Sequence, residues 1–194
     1  MKRWIAEIID EKIALLERLG EGYVALAEGA GERLASVLKN GGKILLAGNG
    51  GSAADAQHFA GEIVGRFTME RKSLPALSLC VDPSVMTCIG NDYGYGEVFA
   101  RQLEGIGRSG DAFVAISTSG NSENLVRALR AAKAKGMATV GFLGRDGGKM
   151  KPLCDFPLIV PSSSTPRIQE THTLTVHILC QLIEQELFGG EGGR

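Results

Sequence analysis

The spacing of apolar residues changes near residue 40. Before it, apolar residues recur at the three- and four-residue spacing of an amphipathic helix, at Ile5, Ile8, Ile9, Ala14, Leu15 and Leu19. A second helical pattern covers about residues 23–38 and ends before Asn40-Gly41-Gly42, which is a typical helix stop signal. We therefore expect two helices before the first strand.

Short, continuous apolar segments follow, and segments of helical pattern separate them. They are KILLA (43–47), LPALSL (74–79), AFVAIS (112–117), MATVGFL (137–143) and FPLIV (156–160). Continuous apolar strands that alternate with helices are typical of a parallel sheet covered by helices on both faces. The pattern predicts an α/β fold with one doubly wound, five-stranded parallel sheet and a long last helix over about residues 167–187.

The length of the chain suits one domain. Its 194 residues are enough for one well-buried core and few for two. We predict a single domain over residues 1–194, with an N-terminal helical arm over residues 1–40 and an α/β core over residues 41–188. The arm is expected to pack against other subunits, although packing within its own subunit fits the sequence nearly as well. The Gly-rich segment after Phe188 is expected to fray.

Composition excludes several classes of partner. Charged residues make up 22% of the chain with a formal net charge of -1, so no basic surface for nucleic acid or an anionic membrane is expected. The N-terminal pattern is not that of a signal peptide, and no apolar run reaches the roughly 18 residues of a membrane span. We expect a soluble, cytoplasmic protein.

Without CxxC spacing, the four cysteines are interpreted as reduced, buried thiols: Cys80, Cys88, Cys154 and Cys180.

Two loops that follow predicted strands carry the residue types of a ligand site. In a doubly wound sheet, ligands bind beyond the carboxyl ends of the strands. AGNGGSAADAQHFAGE (47–62) is a Gly-rich turn that leads into a helix, and it fits an anion site or a plain turn capped by Ser52 equally well. ISTSGNSEN (116–124) favours a phosphate site, because it has four hydroxyls where an ordinary N-cap needs one: Ser117, Thr118, Ser119 and Ser122.

Titratable residues occur at helical spacing on two predicted helices. His58 and Glu62 are four residues apart and share a helix face, which is usually an orienting hydrogen bond or a surface ion pair. His177 lies in an apolar stretch of the last helix, where a core histidine would be equally ordinary. It lies two turns beyond Glu170 and about 80° round the helix from Gln169, so helical geometry does not decide which of them is its companion.

Five motifs in order and spacing resemble the phosphoheptose isomerases, a branch of the sugar-isomerase (SIS) domain superfamily. They are GNGGSAADAQHFAGE, GND (90–92), ISTSGNS, DGG (146–148) and RIQETHTLTVHILCQLIE, and the resemblance spans almost the whole chain. It implies a flavodoxin-like sheet and a homotetramer with active sites shared between subunits. It also implies conversion of sedoheptulose 7-phosphate to D-glycero-D-manno-heptose 7-phosphate, the first step towards the ADP-heptose used in lipopolysaccharide.

The resemblance also implies roles for individual residues. The implied catalytic pair is Glu62 and His177. The implied substrate ligands are Ser52, Ser117, Thr118, Ser119 and Ser122 at the phosphate and nearby hydroxyls, and Asn49, Gly50, Gly51, Asn91, Asp92 and Gln169 beside the sugar. Some family members bind zinc, one ion per subunit, and the matching ligands here are His58, Glu62, Gln169 and His177.

Ketose-to-aldose isomerisation needs few groups. One base takes the C1 proton and returns it at C2, and one acid manages the two oxygens of the enediolate. A carboxylate and an imidazole are sufficient, which makes Glu62 the candidate carbon base and His177 the candidate partner of the oxygens. A zinc ion could polarise the C2 carbonyl or order the side chains.

One departure and two rival functions stand beside this interpretation. Pro166 replaces an acidic residue found in some family members, so a contact of that acid, for example with Arg66, is missing here. A related SIS branch is a scaffold that binds the replication initiator DnaA, and SAADAQHF and ERKSLPAL resemble it closely. That branch lacks the groups matched by Glu62 and His177, so their presence favours an enzyme. Sugar-phosphate-sensing regulators normally add a DNA-binding domain, for which this chain has no room.

Overall fold

Five parallel strands form the centre of the structure, a computed structural model that describes residues 3–190. The strands are β1 (Ile44–Gly48), β2 (Ala76–Ser78), β3 (Ala112–Ser117), β4 (Ala138–Gly144) and β5 (Phe156–Val160). They lie in the order β2-β1-β3-β4-β5, and each neighbouring pair is parallel. The predicted doubly wound, five-stranded sheet is confirmed, and each strand lies within two residues of its predicted segment.

Helices precede, connect and follow the strands. They are α1 (Arg3–Glu17), α2 (Gly20–Lys39), α3 (Gly51–Val64), α4 (Pro83–Tyr93), α5 (Ala100–Ile106), α6 (Glu123–Ala134) and α7 (Thr165–Phe188). Short 3-10 turns cover Tyr95–Glu97 and Gly148–Leu153. Among residues 3–190, no helix is both long and apolar enough to cross a membrane.

Each face of the sheet has its own apolar core. Successive strand residues point to opposite faces, so Leu46 and Ile44 of β1 pack with α2, α3 and α7, whereas Leu45 and Ala47 pack with α4, α5 and α6. This burial on both faces explains why the strands have continuous apolar sequences. It also places α3 and α6, which follow the neighbouring strands β1 and β3, on opposite faces of the sheet.

A buried carboxylate joins β1 and β3 at their amino ends. Asp111 accepts hydrogen bonds from the Lys43 backbone N–H at 3.0 Å, the Lys43 Nζ at 2.6 Å and the Arg108 N–H at 2.8 Å. Burial raises the pKa of Asp111, but the bonds from Lys43 and Arg108 outweigh it, so the pKa lies below its ordinary value. The ionised carboxylate therefore ties the start of both strands together.

The N-terminal helical arm divides into two parts. α2 packs within its own subunit, mainly on α7, where the hydroxyls of Tyr23 and Thr175 lie 2.6 Å apart. For α2, the alternative of packing within the subunit is therefore the one observed. Most apolar side chains of α1 are in contact with solvent, among them Trp4 at 56%, Ile9 at 55% and Ile13 at 51% exposure, whereas Leu15 is buried. Whether α1 contacts other subunits remains a prediction.

The four cysteines differ in their burial. The prediction of buried thiols is wrong for Cys88, which is exposed on the outer surface of α4, where only Ile89 is buried. Cys80 and Cys154 are half-buried, and Cys180 is buried, and all four are free thiols. The predicted fraying after Phe188 falls mostly on residues 191–194, which lie outside the described residues.

Candidate active site

The carboxyl ends of β1 and β3 form the topological switch point of the sheet. Because α3 and α6 leave these two strands towards opposite faces, a crevice opens between the loops that follow them. Asn49 and Asn124 bond across this crevice in both directions, with Nδ2–Oδ1 distances of 3.0 and 2.9 Å. Tyr95 adds a hydroxyl bond to the Asn49 Oδ1 at 2.9 Å.

Gly51 leaves room for the side chain of Gln169 where the last helix approaches the first loop. A Cβ at Gly51 would overlap the side-chain amide of Gln169. Gly50 has a positive φ of 57°, and the buried Ser52 donates its backbone N–H to the Asn49 carbonyl at 3.0 Å. Asn49, Gly50 and Gly51, predicted beside the sugar, and Ser52, predicted at the phosphate, thus form one tight turn with Gln169 directly beside it.

Hydroxyl groups surround the start of α6. Ser117 Oγ lies 3.1 Å from Ser122 Oγ and 3.4 Å from Ser119 Oγ, and it accepts the Gly120 N–H at 3.2 Å. Ser122 occupies the N-cap position, yet its hydroxyl bonds Ser117 instead of the helix amides. Thr118 lies half-buried in the same turn. We call Ser117–Ser122 the serine loop, and its hydroxyls and helix N-terminus suit a phosphate.

The DGG motif supports the serine loop from behind. The Met150 N–H donates to the Gly120 carbonyl at 2.9 Å, and the Lys149 N–H donates to Asn121 Oδ1 at 3.1 Å. Gly120 has a φ of 64°, and a Cβ there would overlap the Gly147 carbonyl. The motif therefore fixes the shape of the serine loop by backbone contact.

Three titratable side chains meet where α3 packs against α7. His58 Nε2 lies 2.9 Å from His177 Nε2 on α7 and 3.6 Å from Glu62 Oε1 on its own helix. The ring of Phe67 stacks on the His177 imidazole, with 5.5 Å between centroids and 26° between planes. The structure thus brings His177 of α7 together with His58 and Glu62 of α3. We call these three residues the imidazole cluster.

The structure also shows which residues of α7 face α3 together with His177. Gln169, Thr173 and His177 form the stripe of α7 that faces α3, whereas Glu170 pairs with Arg167 at 3.0 Å on another side. Thr173 donates to Asp55 Oδ1 at 3.0 Å. Gln169 therefore shares the α3-facing stripe with His177, even though Glu170 lies closer to His177 around the helix.

Asp55, which is half-buried, and His172, which is fully buried, are titratable groups near this stripe. Burial raises the pKa of Asp55, and its Oδ2 has no hydrogen-bond partner among the described residues. His172 donates Nε2–H to the Leu143 carbonyl at 3.2 Å, and burial lowers its pKa to about 4. His172 is thus a neutral core histidine, and Asp55 is a carboxyl that the sequence analysis missed.

The donor types of the imidazole cluster fit a zinc ion. Zinc takes imidazole nitrogens and carboxylate oxygens as ligands, and two such nitrogens on a tetrahedral ion lie about 3.3 Å apart. His58 and His177 are slightly closer, at 2.9 Å, and they contact each other directly. Within residues 3–190, no set of three His, Cys, Asp or Glu side chains has the arrangement of a finished metal site. The donor types therefore fit zinc, whereas the present geometry is that of two imidazoles in direct contact.

Some predicted residues lie apart from these clusters. Asn91 and Asp92 are exposed in the last turn of α4, where Asn91 Nδ2 donates to Asp92 Oδ1 at 2.8 Å. Within the described chain, no hydrogen bond joins either of them to Asn49 or to the serine loop. Tyr95 provides the link from this segment to the crevice. Arg66, which the sequence analysis left out, pairs with Glu70 at 3.4 Å on the surface.

The residues that the sequence analysis missed carried little local signal. Asn124 closes ISTSGNSEN and Tyr95 follows GND, so both lie in or beside a motif that had already been noted. Phe67 lies between α3 and β2, outside the predicted helices and strands. Its proximity to His177 depends on the packing of α3 against α7.

Comparisons with known proteins agree with one another. The family model described as the SIS domain matches residues 8–144. A phosphoheptose isomerase of Trichlorobacter lovleyi is 52% identical over 195 aligned residues, which cover 99% of this chain and 100% of that protein. The structure of phosphoheptose isomerase GmhA from Neisseria gonorrhoeae has a TM-score of 0.90 and 42% identity, covering 95% of this chain and 98% of that one. A phosphoheptose isomerase structure from Francisella tularensis also has a TM-score of 0.90, with 36% identity and coverage of 93% and 96%.

Gly120→Ala tests the shape of the serine loop. The Cβ would push the loop away from Gly147, so we expect inorganic phosphate to bind at least about tenfold more weakly, a loss of ~1.4 kcal/mol. Isothermal titration calorimetry measures this affinity.

Gly110→Ala is the matched control. Gly110 also has a positive φ, 89°, but it lies at the amino ends of the strands and has open space around its Cβ position. Both variants should lose about 1–2 kcal/mol of unfolding free energy from left-handed strain. Equal phosphate affinities for the two variants would contradict a phosphate site at the serine loop.

Proposed function

Because this chain belongs to the phosphoheptose isomerase family of SIS-domain proteins and is a sugar-phosphate isomerase, we propose that it converts sedoheptulose 7-phosphate to D-glycero-D-manno-heptose 7-phosphate. The observation that carries the proposal is the imidazole cluster, in which Glu62 of α3 and His177 of α7 converge on His58. In the proposed pathway, the product is the first intermediate towards ADP-heptose for lipopolysaccharide.

The proposed chemistry is proton transfer through an enediolate. Glu62 takes the C1 proton of the open-chain ketose as the C2 carbonyl gains negative charge, and it returns a proton to C2 of the enediolate. His177 protonates the C2 oxygen and removes the proton of the C1 hydroxyl, which becomes the aldehyde oxygen. All protons are conserved, so no redox cofactor is required.

Substrate binding is assigned to the crevice between the β1 and β3 loops. The hydroxyls of the serine loop, with Ser52 and the N-terminal amides of α6, bind the phosphate. Asn49, Gly50, Gly51 and Gln169 line the sugar, with Asn91 and Asp92 at its outer side. The reciprocal Asn49–Asn124 bonds and the Tyr95 hydroxyl support this assignment, because they orient the Asn49 amide towards one fixed position.

Zinc is proposed as the resident metal, with one ion per subunit. His58, Glu62, Gln169 and His177 would hold it, and when bound it supplies polarisation of the sugar carbonyl. The protein orients these side chains, because Phe67 stacks on His177 and the Gln169 amide lies against Gly51.

A homotetramer with shared active sites is also proposed. Its support is the apolar surface of α1 and a neighbouring groove of about 630 Å³, lined mainly by apolar residues that include Leu16, Leu19, Val24, Leu174 and Ile178. A second copy of this chain would cover both surfaces.

Turnover of sedoheptulose 7-phosphate tests the proposed reaction. NMR in deuterated water, with and without added zinc, should record aldose formation together with hydrogen exchange at C1. Glu62→Gln and His177→Ala should each lower the rate at least about 10²-fold, as expected for loss of a general acid or base. Both variants should keep the oligomeric state of the wild-type protein.

Glu170→Gln is the control for these variants. Glu170 pairs with Arg167 and has no hydrogen bond to α3 among the described residues, so its loss should leave turnover within about twofold of wild type. A Glu62 or His177 variant that retains the wild-type rate would remove that residue from the mechanism. Absence of wild-type turnover under both metal conditions would favour the DnaA-binding scaffold, and a pull-down with DnaA would then decide.

Metal content tests the zinc proposal. Protein purified without chelator should contain one zinc per subunit by mass spectrometry, and His58→Gln should lower this content by at least about tenfold through loss of one ligand. Removal of zinc with a chelator should abolish turnover, and added zinc should restore it. Full activity of a verified metal-free protein would refute the role of zinc.

The mass in solution tests the tetramer. Light scattering should give four times the chain mass of 20.5 kDa. Ile9→Glu with Ile13→Glu should reduce the assembly, because two carboxylates would be buried against a partner without counter-charges. Val81→Glu, which changes an equally exposed residue after β2, should leave the mass unchanged. A wild-type monomer would contradict the proposal.

A further inference from the structure

A buried ion pair connects the end of α3 with α7. The Glu184 carboxylate and the Arg71 guanidinium lie 2.9 Å apart, and each side chain is 1% exposed. Glu184 is two turns beyond His177 on α7, and Arg71 is in the segment that follows α3. Glu184 is the last residue of the motif RIQETHTLTVHILCQLIE, and Arg71 lies in ERKSLPAL, but the sequence analysis assigned neither of them a role and neither takes part in the proposed chemistry.

Glu184 organises the segment after α3. Its carboxylate accepts backbone N–H bonds from Phe67, Thr68 and Met69, each at 2.9 Å, and the Thr68 hydroxyl at 3.0 Å. Burial raises the pKa of Glu184, but these bonds outweigh it and lower the pKa to about 2. The carboxylate is therefore ionised at every pH suitable for an assay, and it fixes the backbone of Phe67.

Arg71 caps the C-terminus of the helix that carries Glu62. Its Nη2 donates to the Glu62 carbonyl at 2.9 Å, and its Nη1 donates to the Ile63 carbonyl at 3.0 Å. These are among the last carbonyls of α3, which have no partner within the helix. The planar guanidinium thus holds the backbone of Glu62 while its Nε holds Glu184.

Two connections from one ion pair therefore reach the two proposed catalytic residues. One runs from Arg71 to the backbone of Glu62, and the other runs from Glu184 through the Phe67 backbone to the ring stacked on His177. We propose that Glu184 and Arg71 are positioning residues of the isomerase, which set the placement of Glu62 relative to His177. The proposal rests on the catalytic roles assigned above to Glu62 and His177.

Glu184→Gln is the first test. The amide keeps the size of the side chain, but its NH₂ cannot accept hydrogen bonds, so donors from the loop or Arg71 lose their acceptor. We expect kcat to fall at least about tenfold with KM within about threefold, since misplaced catalytic groups affect the transition state more than binding. The imidazole signals of His177 should shift as the Phe67 ring moves, and the chain has only three histidines to assign.

Asp111→Asn is the matched control. Asp111 is also a buried carboxylate that accepts two backbone N–H groups and a lysine, but it lies at the amino ends of the strands. The Asp111→Asn substitution should lower the melting temperature while leaving kcat and the His177 signals unchanged. Equal kcat for the two variants, or unchanged His177 signals in Glu184→Gln, would overturn the proposal and leave the ion pair with a structural role only.

Phe67→Leu keeps the test decisive if Glu184→Gln fails to fold. It leaves the backbone bonds to Glu184 in place and removes only the aromatic ring. It should lower kcat and shift the His177 signals, and a variant with wild-type kcat would refute the pathway through Phe67.

If wild-type protein does not turn over the heptose phosphate, the proposed function fails. If wild type is active and both variants match the Asp111→Asn control, only the positioning role fails.

Discussion

The parallel pairing of β1 with β3 is the constraint on which the candidate active site depends. The register places Gly48 beside Ile116, so the Gly-rich turn and the serine loop begin at the same edge of the sheet. Because their helices leave towards opposite faces, the two loops diverge and leave a crevice that hydrogen bonds can span but apolar packing does not fill. The Asn49–Asn124 bonds span it, and the DGG segment fixes one wall through Gly120. The site is therefore a consequence of strand order, with glycine where backbone must approach backbone.

The second half of the site depends on how α3 packs against α7. His177 is more than one hundred positions from His58 and Glu62 in sequence, and each of the two helices contributes a stripe set by its own period. Such stripes face each other only if the rotation of each helix about its axis, and its position along that axis, are fixed. Packing against the sheet fixes part of this, through Phe59 of α3 and Val176 of α7 in the same core. The Glu184–Arg71 pair adds a directional contact at the far end, which apolar packing alone does not supply.

The fold was predictable because strands buried on both faces have continuous apolar sequences, and the amphipathic helices between them have a different period. The serine loop was predictable for a similar reason, since four hydroxyls in six residues are visible locally. The alignment of Gln169 with His177 was not predictable, because it depends on the contact of Gln169 with Gly51 on another helix. The angle around α7 alone favours Glu170. Tyr95, Asn124 and Phe67 acquire their roles through contacts across 46, 75 and 110 positions, respectively. Cys88 was misjudged because apolar neighbours in sequence do not specify which face of α4 is covered.

Energetics distinguish an enzyme from a binding scaffold on the same fold. The seam between α3 and α7 holds two contacting imidazoles, a carboxylate beside them, and Asp55, whose buried Oδ2 has no partner among the described residues. Burying a polar atom without a hydrogen bond costs about 1–3 kcal/mol, so an apolar residue in place of Asp55 would give a more stable scaffold. Proteins retain such locally unfavourable groups mainly at functional sites. A scaffold that presents only its outer surface to a partner has no use for them, whereas proton transfer needs titratable groups held at short distances. The placement of these groups at one seam therefore favours catalysis over scaffolding.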